Sequence, residues 1–141
     1  MDTPITVAII TASASIIVAS ASFFFAKRYV VKAKWQQEKL SHYKILLSSI
    51  SDLATEGTDV KAANLGYFQA FNTIALVAPQ NVIDALIAFQ EEIRSTNSNK
   101  NLINHDKLLK ELLLAIRADI SLASKDDKET FKFHLIGTFP K

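Results

Sequence analysis

The chain has 141 residues, of which 49% are hydrophobic and 21% charged, with sixteen basic and fourteen acidic side chains and no cysteine. Disulfides, thiolate metal sites and cysteine nucleophiles are thereby excluded, and the length accommodates one domain plus an additional element. Charge is unevenly placed: residues 27–44 hold six cations against Glu38, a balance of +5, whereas residues 45–141 hold ten cations and twelve carboxylates, a balance of −2. A general nucleic-acid binder spreads basic charge over its folded face, so this distribution argues against nucleic acid as a partner.

The chain opens on an apolar run. Residues 3–26 contain no ionisable side chain, and a helix from Pro4 to Ala26 would have 23 residues. At 1.5 Å per residue that is about 34 Å, enough to cross a hydrocarbon core of about 30 Å. Pro4 suits a first helical turn, where its missing N–H is not needed, and Asp2 or Thr3 can cap. Phe23, Phe24, Phe25 and Tyr29 stand where an interfacial aromatic belt belongs. A cleavable signal and a soluble buried helix are the competing readings. The "MDT" start has an acid and no cation, the wrong polarity for a signal, and a buried helix would rarely run so far without a polar face. Residues 1–33 are therefore read as a transmembrane anchor.

The cations orient it. Lys27, Arg28, Lys32 and Lys34 lie on the C-terminal flank, so the positive-inside rule predicts an outward N-terminus and a cytoplasmic body at the inner membrane. Together with Tyr29 and Trp35 they form the expected lipid-interface set, each cation near an anionic leaflet being worth about 1 kcal/mol. A second pattern runs along the anchor. Ala8, Ala12, Ser15, Ala19, Ser22 and Ala26 step by 4, 3, 4, 3 and 4, a stripe of small residues. Small residues let helix backbones approach closely in lipid, so this is the predicted self-association face of a homo-oligomer. The same register continues through Tyr29, Ala33, Gln36, Leu40, Tyr43, Leu47, Ile50 and Ala54, as a left-handed supercoil requires.

Residues 34–124 are expected to form a cytoplasmic bundle of about four helices, giving an all-α fold. No Gly or Pro occurs between Val30 and Ala54, so the first helix should continue unbroken. "EGTD" ends it, with Gly57 as the residue past the helix end and Thr58 or Asp59 as the next cap. A second helix over 59–77 carries Val60, Ala63, Tyr67, Phe71 and Ile74 on one face. After "APQN", a third presents Val82, Leu86, Phe89 and Ile93. "STNSNKN" is a polar linker, and a fourth helix over 104–124, capped by Asn104, carries Leu108, Leu109, Leu112, Leu113, Ile116 and Ile120. In the tail, 125–141, Phe131, Phe133 and Leu135 alternate with Lys132 and His134. That is the pattern of a half-buried strand packed on the helices, with sheet-edge addition or disorder as alternatives.

Three stretches carry a resemblance: "KAKWQQEKLSHYKILLSSISDL" after the span, "LVAPQNVIDALIAFQEEI" and "LLKELLLAIRADI". Together they resemble small uncharacterised bacterial and phage-associated single-pass proteins with a cytoplasmic helical domain, over residues 1–123. The resemblance implies that architecture and a prokaryotic setting. No agreed activity attaches to the group, so it implies no catalytic residue.

The residues themselves offer no enzyme chemistry. Gly57, Gly66 and Gly137 are isolated where a phosphate-cradling loop needs clustered glycines, and no Gly-x-Ser-x-Gly motif occurs. His42, His105 and His134 are scattered; Glu38 and His42 share a helix face but make only two ligands, so no metal and no cofactor is expected. The acid pairs Glu91–Glu92 and Asp126–Asp127 splay apart on a helix and read as solvated. Arg117 and Asp119 read as a structural clamp at the core edge. The function expected is a non-enzymatic, membrane-anchored, self-associating scaffold whose cytoplasmic body binds a protein partner. The alternative is a small pore-forming or membrane-perturbing effector, of phage-lysis or anti-phage type, with Thr11, Ser15 and Ser22 lining a water path.

Overall fold

The computed structural model describes residues 2–94, 96–120 and 127–133. Four α-helices follow one another: α1 (Thr3–Ala54), α2 (Val60–Ile74), α3 (Gln80–Ile93) and α4 (Leu102–Asp119). No strand occurs among the described residues, so the fold is all-α. Phe131 and Phe133 lie in irregular chain instead of the expected strand, and His134 and Leu135 lie outside the described residues. The chain forms two compact units, residues 1–37 and 38–141.

Local chemistry explains where each helix starts and stops. The 52 residues of α1 contain no Gly and no Pro after Pro4, so nothing interrupts its hydrogen-bond ladder. At its start the Asp2 carbonyl accepts from the N–H groups of Ile5 and Thr6, at 2.9 and 3.2 Å. At its end Gly57 takes φ +83°, a left-handed conformation that costs an L side chain energy and costs glycine none. Asp59 then caps α2, its Oδ1 accepting from the N–H of Lys61 at 2.9 Å and of Ala62 at 3.3 Å. Pro79, with φ −73°, precedes α3, and its carbonyl accepts from Val82 and Ile83. α4 is capped by Asn101, whose Oδ1 accepts from Ile103 N–H at 3.0 Å, and not by Asn104 as expected. The helix starts two residues earlier than the apolar pattern indicates, because Leu102 and Ile103 are exposed and contribute nothing to that pattern.

In the first unit, an 18-residue window of α1 with mean hydropathy 2.1 has none of its residues buried among the described residues. By length and composition α1 is able to cross a membrane. The second unit has one core. Tyr43, Leu46 and Ile50 of α1 meet Tyr67, Ala70 and Ile74 of α2, Val82, Leu86 and Phe89 of α3, and Leu109, Leu112 and Ile116 of α4. The period-3.6 stripes therefore do what amphipathic stripes do, removing apolar area from water at roughly 25 cal/mol per Å². Val60 departs from its expected place on the core face. It is 71% exposed, because it stands at the first helical position and no neighbouring helix covers it. The continued supercoil register is also corrected: Tyr43 and Ile50 are buried in the core of their own chain, so they are not free to face a second copy.

Leu112 has no solvent exposure and lies in the middle of this core. Leu112→Ala should cost about 2–5 kcal/mol in chemical unfolding of the detergent-solubilised chain. Gly57→Ala should cost about 1 kcal/mol from backbone strain alone, since a Cβ there would meet nothing within 4 Å.

Candidate functional site

The expected self-association and lipid-interface residues all lie on α1 in the first unit, and their relation follows from the helix. At 100° per residue, the stripe Ala8, Ala12, Ser15, Ala19, Ser22 and Ala26 runs along one side. Phe24, Arg28, Val31 and Trp35, spaced 4, 3 and 4, run along another that is about 160° away. The two sets therefore occupy nearly opposite faces. On the second face the Arg28 guanidinium sits over the Phe24 ring at 5.3 Å, and Phe24 meets Phe25 edge-on with centroids 6.1 Å apart. Lys27, Lys32 and Trp35 flank the same shallow groove. Tyr29 is 76% exposed, and Lys34 is exposed as well. The arrangement offers an aromatic and aliphatic strip edged with cations, which suits an apolar-to-anionic boundary.

Four hydroxyls of the apolar segment are turned inward on their own helix. Thr11, Ser13, Ser15 and Ser20 each donate to the carbonyl four residues earlier, all at 2.8 Å. Each polar hydrogen is thereby satisfied without water, as an apolar environment demands.

The second unit holds two polar clusters. In one, Asp119 at the end of α4 is gripped from α1. Lys39 Nζ lies 2.9 and 3.0 Å from its two carboxylate oxygens, and the Tyr43 hydroxyl donates to Oδ2 at 2.6 Å. The Lys39 and Asp119 side chains are only 13% and 11% exposed. Burial raises the Tyr43 pKa, and the adjacent Asp119 carboxylate raises it further, so the phenol stays a neutral donor. The two residues expected to clamp the core edge each have a partner among the described residues. Asp119 ties α4 to α1, while the Arg117 guanidinium lies over the Phe131 ring at 5.4 Å. Lys39, counted above in the basic segment, is committed to this bridge.

The other cluster corrects the solvated reading of Glu91–Glu92. Glu91 is exposed and faces Arg94 at 3.4 Å, but Glu92 is 8% exposed and accepts three hydrogen bonds. Asn101 N–H donates at 2.9 Å, Asn104 Nδ2 at 2.7 Å and Asn97 Nδ2 at 3.4 Å. These donors, the Asn101 backbone first, hold the Glu92 carboxyl below the usual carboxylate range. One carboxylate thus joins the end of α3, the polar linker and the start of α4. The sequence signal was available in retrospect: Glu92 sits one turn past Phe89 on the buried face, opposite a linker rich in amide donors.

His42 is half-buried on α1, and His105 lies against the Phe89 ring at 5.2 Å. Among the described residues no three His, Asp or Glu side chains come together as a metal site would require. Comparison with family models, curated proteins and solved structures yields no match, so residue geometry alone carries the functional reading.

Both clusters lead to measurements. Asp119→Ala leaves a mostly buried ammonium and a buried phenol without their acceptor, and should cost about 2 kcal/mol, more than Lys39→Met. Glu92 has a depressed native pKa, so its stabilisation is complete above the unfolded carboxylate value, about 4.5, and fades as pH falls through the lower native value. Acid titration of thermal stability should therefore be steeper for the natural chain than for Glu92→Gln below that pH, with the variant already less stable at pH 7.

Proposed function

We propose that this protein is a single-pass, membrane-anchored helical scaffold that self-associates through its anchor and offers a cytoplasmic helical bundle to a protein partner. The observation that carries the reading is the unburied apolar half of α1. Its hydropathy window averages 2.1 with none of it covered, and Ile9, Ile10, Ile16, Ile17 and Phe23 are all more than half exposed. An apolar surface of that length is costly in water and favourable in hydrocarbon. The inward-closed hydroxyls support the same environment. The cations that follow Phe25 support, by the positive-inside rule, a body on the cytoplasmic side of the inner membrane.

Self-association rests on the division of faces. The small-residue stripe gives a partner helix close backbone approach, while the Phe24–Arg28–Trp35 side faces lipid and its headgroups. With Tyr43 and Ile50 of that register used in the chain's own core, we assign the contact between copies to the anchor. A scaffold is favoured over an enzyme because the polar clusters built into the bundle, at Asp119 and Glu92, are satisfied bridges between helices.

Two measurements test this. The chain should stay with vesicles through a carbonate wash at high pH; release into the supernatant rejects the anchor. In detergent, sedimentation should give a mass above one copy, and Ala12→Leu with Ala19→Leu should weaken association about tenfold or more by holding the backbones apart. An unchanged mass rejects the stripe as the interface.

A further inference from the structure

The aromatic–cationic strip of α1 has an internal order that a diffuse basic collar would not need. Around the helix axis, at 100° per residue, Val31 and Trp35 stand within about 20° of Phe24. All three are exposed. Lys27 stands about 60° to one side of that line, and Arg28 and Lys32 about 40° and 80° to the other. These six residues line one shallow groove, so cations edge an apolar floor on both sides. Arg28 and Lys32 are one turn apart, and the Phe24 ring 5.3 Å from Arg28 Cζ helps to hold the guanidinium in place.

The charge at this groove is uncompensated. Residues 3–37 contain no Asp or Glu. Among the described residues no carboxylate lies within ion-pair distance of Lys27, Arg28 or Lys32. An occupant must therefore bring negative charge. It must also bring an apolar body, because the Phe24 line continues toward the N-terminus through Ile17 and Ile10, about 20° and 40° from it around the axis. Both isoleucines are more than 60% exposed. From Arg28 back to Ile17 the helix rises about 16 Å, close to half of a hydrocarbon core of about 30 Å. A nucleic acid or an acidic peptide supplies the charge without an apolar body of that depth. A phospholipid of net negative charge supplies both, in that order along the helix.

We propose that this face selects one anionic phospholipid molecule from a mixed bilayer. Its phosphodiester meets Arg28 and Lys32 on one edge of the groove and Lys27 on the other, and an acyl chain lies along Phe24 and Ile17. A guanidinium matches two phosphate oxygens at once, and an ammonium adds a point charge. A zwitterionic phospholipid offers the same phosphate but carries its own cation in among three others, which repel it. This rests on the membrane-anchor reading above and names the lipid that meets the strip. The small-residue stripe, on the nearly opposite face, is left unused by it.

The test reconstitutes the full chain in phosphatidylcholine vesicles that hold a trace of spin-labelled lipid, either phosphatidylglycerol or phosphatidylcholine labelled on the acyl chain. Electron paramagnetic resonance then gives the share of each label that the protein immobilises. Phosphatidylglycerol should be favoured about threefold or more, at one selective site per chain. Arg28→Gln with Lys32→Gln should bring its share down to that of phosphatidylcholine. Lys34→Gln with Lys44→Gln removes the same charge from α1 outside the groove and should leave the preference in place. Equal immobilisation of the two labels overturns the proposal. So does a preference that falls alike in both double variants, which is what diffuse attraction of an anionic surface gives, or one spread over every lipid around the helix. Both double variants should stay with vesicles through a carbonate wash and keep the natural chain's mass in detergent. A failure of lipid selection therefore leaves the anchor and its self-association standing, and release of the natural chain by the wash reports the failure of the anchor separately.

Discussion

An α-helix satisfies its own backbone, and the rest of this structure depends on that property holding across α1 for 52 residues. Every interior N–H and C=O is paired within the helix, so one element can be covered by apolar neighbours at one end and left without them at the other. The hydroxyls of Thr11, Ser13, Ser15 and Ser20 follow the same logic, closing on carbonyls one turn back. A proline near the middle would leave backbone unpaired and a glycine would weaken the helix entropically, and neither is present after Pro4.

The second unit solves a different problem. Its helices are short, 15, 14 and 18 residues, and helices of this length are marginal in water unless an apolar face is buried. Leu46, Val82, Leu109 and Leu112, fully buried from three different helices, supply that burial. Two carboxylates fix how the helices join. Asp119 is held by Lys39 and Tyr43, and Glu92 by three asparagines. Apolar packing is non-directional, whereas these hydrogen-bonded groups tolerate little displacement, so they specify register more than they add stability.

This contrast shapes the functional reading. The charged groups that are drawn out of water, Asp119 and Glu92, are committed to joining helices and hold the body together. On α1 the small-residue stripe and the aromatic–cationic strip occupy nearly opposite faces, the division on which the proposed self-association rests.

The sequence by itself determined the number of helices, the unbroken run of α1, the end at Gly57, a cap at Thr58 or Asp59 and most of the core. Each of these is written in local chemistry: apolar residues at helical spacing, a glycine needed for positive φ, a carboxylate beside free N–H groups. Tertiary structure decided what local pattern does not encode. Glu92 reads as a surface acid next to Glu91 until the fold brings the linker asparagines around it. Asp119 gains its meaning from Lys39 and Tyr43, about eighty positions away in the chain. Tyr43 and Ile50 fit a contact between copies equally well until the core of their own chain claims them. Periodicity states which face of a helix is apolar, but only packing decides what that face meets.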